Sequence, residues 1–136
     1  ELYGRVPRSK TAGQVIAGAR RDGVFVGTER LLAEHGLPGA FGQGHNTTVA
    51  VVAVEGVLDK LALRGVARAA GAALHRRVRP AGSMVDGDVI FALCPLSGEP
   101  ADPVRAEMLA VAALEQAIER AVRTAVGRDG VPGLAS

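Results

Sequence analysis

Gly42-Gln43-Gly44-His45-Asn46-Thr47-Thr48-Val49-Ala50-Val51-Val52-Ala53-Val54 decides how the rest of this 136-residue chain is read. From Thr47 to Val54 the residues are apolar or β-branched throughout, which predicts a strand buried on both faces. Immediately before it, Leu37 to His45 holds three glycines and one proline in nine residues, so a loop must feed the strand. Downstream, Val57 to Arg77 repeats Leu58, Leu61, Leu63, Val66, Ala69, Ala70, Ala73 and Leu74 at helical spacing. Asp59 near its start and His75, Arg76 and Arg77 near its end complement the helix dipole. A second apolar strand is expected at Val89 to Leu93. Asp102-Pro103 supplies an N-cap and a first-turn proline for a last helix running through Met108, Leu109, Leu114, Ile118 and Val122 to Gly127. The order after residue 46 is strand, helix, strand, helix, an α/β (or α+β) layered arrangement.

Upstream the signals are shorter. Residues 1–13 are polar, basic and without periodicity, and read as a connecting loop. Gln14 to Ala19 reads as a short strand. Thr28 is a credible N-cap for a brief helix Glu29 to His35, with Gly36 as its C-cap.

Sixteen Lys and Arg against fourteen Asp and Glu leave a net charge of +2, which argues against a dedicated nucleic-acid binder. Only Lys10 and Lys60 are lysines, and with the heavy use of Ala, Gly and Val this reads as GC-rich coding bias. A single cysteine, Cys94, excludes an internal disulfide framework and fits a reducing compartment, so a cytoplasmic location is expected. Its place after a strand predicts an inert, partly buried thiol. No apolar run approaches the ~18 to 20 residues a membrane span needs. Asp22, Glu29 and Glu34 have no metal-ligand spacing with histidine, and neither a metal nor a cofactor is expected.

Two motifs carry chemistry. A cut between Asn46 and Thr47 would free a threonine whose hydroxyl and α-amino group form a nucleophile and base on one residue. An α-amine ordinarily titrates at about 7.7 to 8.0, so it can take the proton of its own hydroxyl near neutral pH. The plainer reading is an Asx-turn at Asn46 leading into ordinary strand residues. A phosphate loop is excluded, because Gly42-Gln43-Gly44 lacks the lysine and the following helix. In the second motif, Ser83-Met84-Val85-Asp86-Gly87-Asp88, the two aspartates are either a turn signal or, if extended, carboxylates on one side of the chain converging on one spot. A calcium loop fails at the next alternate position, Ile90. The cluster His75-Arg76-Arg77 with Arg79 reads as a solvated helix terminus rather than a phosphate site.

In Ile16-Ala17-Gly18-Ala19-Arg20-Arg21, the Asn46-Thr47-Thr48 junction with its strand, the helix from Leu58 to Val78, Arg79-Pro80 and Met84-Val85-Asp86-Gly87-Asp88 with Val89 to Leu93, the chain resembles a known family. This is the L-aminopeptidase/D-esterase family of self-processing N-terminal-nucleophile hydrolases, and the likeness is nearest its nylon-oligomer hydrolase branch. The resemblance runs from about Gly13 to Leu93. It implies an α/β/β/α sandwich with the new N-terminal strand at its centre. Residues 1–46 would be the tail of a large subunit and 47–136 the small subunit. It further implies Thr47 as nucleophile, the Asn46–Thr47 bond as cleavage site, and Asp86 and Asp88 as active-site carboxylates. A lysine, an oxyanion-stabilising asparagine and a pocket tyrosine would come from upstream large-subunit segments.

The expected function is therefore hydrolysis of a small peptide or ω-amino amide substrate by a self-processing aminopeptidase. Its partners would be the remainder of the large subunit and further copies in a homo-oligomer, with no nucleic acid and no membrane. Two alternatives stand beside it. One is a non-catalytic remnant acting only as an assembly partner. The other is an acyltransferase resembling ornithine acetyltransferase, whose characteristic junction differs from Gly44-His45-Asn46-Thr47-Thr48.

Overall fold

The computed structural model describes residues 1–4, 13–37 and 47–135. Their elements are β1 (Leu2–Tyr3), β2 (Val15–Ala17), β3 (Arg20–Arg21), β4 (Val24–Phe25), α1 (Thr28–His35), β5 (Val49–Ala53), α2 (Lys60–Arg77), β6 (Val89–Leu93) and α3 (Pro103–Arg123). The expected α/β class and the strand-helix-strand-helix order after residue 46 are both present. The glycine-rich approach, including Asn46 of the expected cleavage bond, lies outside the described residues.

β5 and β6 pair in parallel, Val49 opposite Val89 through Ala53 opposite Leu93. A parallel pair needs a long crossover between its strands, and α2 supplies it. Asp59 caps α2 by accepting from the Ala62 N–H at 2.7 Å, and Asp102 caps α3 by accepting from Arg105 N–H at 2.8 Å. Such caps contribute about 1 kcal/mol each. The two helices pack on one face of the strand pair around Val52, Val66, Ala70, Ala73, Ala106, Ala110 and Leu114, with Ala50, Ile90 and Ala92 against them. Small alanines on the facing stripes let the helix axes approach closely, and Val66 between them is wholly buried.

The structure corrects several expectations. β5 is covered on one face only: Val52 is buried, whereas Val49 and Val51 are 64% and 57% exposed, beside Phe91 and Leu93 at 55% and 50%. The apolar run therefore reports a strand with two apolar faces, one of them uncovered among the described residues. Thr28 does not cap α1. The helix starts at Thr28 itself, after Gly27 in the left-handed region, and Gly36 closes it as expected by donating to Leu32 O. The last helix stops at Arg123, with Thr124 as its cap, rather than reaching Gly127. Leu2–Tyr3, expected to be loop, pairs with β2, and Leu2 also bridges to Val78.

Arg77 is the largest departure from the solvated helix end. Its side chain is 5% exposed and lies 3.4 Å from Glu115 and 3.3 Å from Glu119, both on α3. It also donates to the Tyr3 carbonyl at 3.3 Å, tying β1 to the helix pair. Arg76 fits the expectation better, being 62% exposed with Glu115 at 3.0 Å. Cys94 is half-buried, with Sγ 3.5 Å from the Leu58 carbonyl. No helix among the described residues is long and apolar enough to cross a membrane.

Candidate active site

Because β5 and β6 run parallel, the residues that enter them lie at the same end of the pair. The register that sets Val49 opposite Val89 brings Thr47 level with Gly87 when carried two residues back. The contact is close: a Cβ added to Gly87 would lie 2.7 Å from Thr47 Oγ1. Only glycine leaves that space to the hydroxyl, which is the close approach that a glycine beside a strand permits.

Asp88 fastens this end of the sheet. Its Oδ1 accepts from Thr48 N–H at 2.8 Å, and its Oδ2 accepts from Gly82 N–H at 3.3 Å. The Thr48 carbonyl then accepts from Val89 N–H at 2.9 Å, which begins the ladder between the strands. Thr48 is thus held on both sides by the segment that carries the two aspartates. The carboxylate is half-buried, and charge-assisted bonds of this kind are shorter and stronger than neutral ones.

Asp86 takes different partners. Its Oδ2 accepts from both the N–H and the hydroxyl of Ser83, each at 2.8 Å, while Asp86 N–H donates to Ser83 O at 3.1 Å. Residues 83–86 close into a turn, and Asp86 lies outside β6, so the extended arrangement with both carboxylates on one spot does not form. Asp86 and Asp88 nevertheless flank the glycine that touches Thr47.

The structure brings Thr47, Asp86 and Asp88 to one end of the strand pair. Asn46 and His45 fall outside the described residues. Gly82 was not singled out in the sequence, and Ser83 was quoted with the motif but given no role, yet their backbone N–H groups each hold one of the two carboxylates. The serine three residues before Asp86 was a usable signal, because that spacing lets a hydroxyl and a carboxylate close a turn.

The arrangement sets the Thr47 hydroxyl at the same end of the strand pair as the carboxylates of Asp86 and Asp88. Residues 8–131 match the sequence profile of Peptidase family S58. An uncharacterized aminopeptidase of Mycobacterium tuberculosis (strain ATCC 25618 / H37Rv) is 39% identical over 87 residues, 64% of this chain and 25% of its own. A Mycobacterium bovis aminopeptidase matches to the same extent. One from Mycobacterium leprae is 48% identical over 48 residues, 35% of this chain and 13% of its own. The match thus spans about a quarter of the length of the first of these relatives. No solved structure matches the chain. With the S58 profile covering nearly all of its length, the chain belongs to Peptidase family S58.

Proposed function

We propose that this chain carries the nucleophile region of a self-processing aminopeptidase or amidohydrolase, with Thr47 as nucleophile. The observation that carries the reading is the place of the Thr47 hydroxyl beside Gly87, between the two aspartates, where an added Cβ would lie 2.7 Å from Oγ1. The aminopeptidase names of the mycobacterial relatives support the reaction class.

In the processing step, Thr47 Oγ attacks the carbonyl carbon of Asn46. The C–N bond breaks as the hydroxyl proton passes to the departing nitrogen, giving an Asn46 ester on Thr47 and a free α-amine. Water then cleaves the ester, restoring the hydroxyl and leaving Asn46 as a carboxylate. In turnover, the α-amine takes the Thr47 proton while Oγ attacks the substrate amide. The substrate's amine leaves with that proton, and water releases the acyl group. Asp88 holds the Thr48 end of the nucleophile's backbone, and Asp86 handles the proton beside it. The oxyanion-stabilising group and the pocket walls are assigned to the large-subunit remainder.

The exposed face of Val49, Val51, Phe91 and Leu93 favours assembly with that remainder, and oligomers of processed pairs are part of the same reading. The same face is what a purely structural assembly partner would also present. Replacing Thr47 with Ala in the full-length protein separates the two readings. Loss of both self-cleavage and hydrolysis of aminoacyl amides supports the enzyme, and retained activity refutes Thr47 as nucleophile.

A further inference from the structure

We infer that the Gly82-Ser83 dipeptide is the holder of both candidate carboxylates, and that Ser83 is a positioning residue for the reaction proposed above, on which this inference rests. Consecutive backbone N–H groups diverge to the two aspartates: Gly82 N–H to Asp88 Oδ2 at 3.3 Å, Ser83 N–H to Asp86 Oδ2 at 2.8 Å. Gly82 reaches this geometry at φ 67°, in the left-handed region that favours glycine. The His75 imidazole near the end of α2 stands beside it, filling the space a Cβ on residue 82 would take, and so sets the dipeptide next to the helix layer.

The Ser83 hydroxyl does two things at once. It donates to Asp86 Oδ2 at 2.8 Å and accepts from Val85 N–H at 3.4 Å, so the hydroxyl bonds inside the turn it closes. Asp86 Oδ2 is consequently occupied by two donors, and its Oδ1 takes no hydrogen bond among the described residues. A carboxylate held by one oxygen can accept a further hydrogen bond through the other. The same turn fixes where Asp86 ends and Gly87 begins, and Gly87 is what Thr47 Oγ1 rests against. Ser83 touches none of these reacting atoms. It acts through Asp86.

Met84 and Val85, the residues enclosed by the turn, are exposed, Met84 almost fully. Packing therefore does little to hold Asp86, and the hydrogen bonds of Ser83 carry that task. Removing the hydroxyl leaves the backbone bond and deletes one charge-assisted bond, so the effect is graded rather than total.

The test uses the full-length protein as wild type, Ser83→Ala and Ser83→Thr. It measures the rate of cleavage after Asn46, then kcat and KM for an aminoacyl amide, and Tm. Ser83→Ala is expected to slow self-cleavage and lower kcat by about tenfold, the effect of losing one such bond. KM should stay within about twofold and Tm within about 2 °C, as for a change at an exposed turn. Ser83→Thr should recover to within about threefold of wild type. Wild-type rates in Ser83→Ala, no rescue by threonine, or a loss that follows a collapse in Tm would each overturn the inference. Failure of the wild type itself to cleave would instead remove the reaction, and the positioning role with it.

Discussion

The backbone N–H of Thr48 donates to Asp88 Oδ1 at 2.8 Å across 40 positions of sequence. That one bond converts two motifs into one site: it pins the start of β5 to the loop that enters β6, and the parallel register carries the alignment onward to Ala53 and Leu93. Any function assigned to Thr47 or to the aspartates depends on this joint holding.

Asp88→Ala should therefore damage more than a carboxylate. It removes the acceptor for both Thr48 and Gly82 N–H, two bonds worth about 1.5 to 3 kcal/mol each when the acceptor is charged. Self-cleavage of the full-length protein is expected to slow by about a hundredfold or more, measured as the cut fraction over time. Cleavage at the wild-type rate would show that the joint is dispensable.

Gly87→Ala tests the close approach. A methyl 2.7 Å from Thr47 Oγ1 must push the threonine side chain aside, since real Cβ atoms do not sit so near. We expect at least about tenfold slower cleavage with a Tm drop of only a few degrees, because the displaced atom is the end of a side chain at the sheet's rim. An unchanged rate would mean that Thr47 does not react from this position.

Arg77→Ala addresses the fold rather than the site. Removing a buried cation leaves Glu115 and Glu119 facing each other across its place, although Arg76 and Arg123 still neutralise them in part. A loss of about 2 to 4 kcal/mol is expected in chemical denaturation, against under about 1 kcal/mol for Arg76→Ala, whose side chain is 62% exposed. Equal effects would contradict the assigned burial.

Phe91→Ser reads the open sheet face. With that side chain 55% exposed, a serine should cost no more than about 1 kcal/mol if solvent is its neighbour in the whole protein. Coverage by the rest of the protein predicts about 3 kcal/mol or more and weaker assembly. Denaturation of the full-length variant, with its elution volume, decides between the two.

Much of the architecture was legible because it is written in local chemistry. The Asp102 cap, the charges at the two ends of α2, the alanine and leucine stripes and the two β-branched runs each specify their element within a few neighbouring residues, and β5, α2, β6 and α3 fell where they pointed, α3 stopping at Arg123 short of Gly127. Some of what failed is local, such as the helix starting at Thr28 instead of after it, but the larger misses depend on partners distant in sequence. Arg77 looks like any basic residue closing a helix until Glu115 and Glu119 arrive from α3. The apolar outer face of β5 is indistinguishable in sequence from a covered one. Of the candidate site, Thr47 and the aspartates were singled out by motif, whereas the different hydrogen-bond partners of Asp86 and Asp88 were not. Period-two spacing would set both on one side only if the segment were extended; of the two readings of that motif it is the turn, closed by Ser83, that forms.

In the proposed reaction Thr47 cuts the Asn46–Thr47 bond. The most direct measurement is the intact mass of the purified full-length protein, with N-terminal sequencing of the smaller piece. Two polypeptides are expected, the smaller beginning at Thr47. A single uncut species, or a boundary anywhere other than between Asn46 and Thr47, would contradict it.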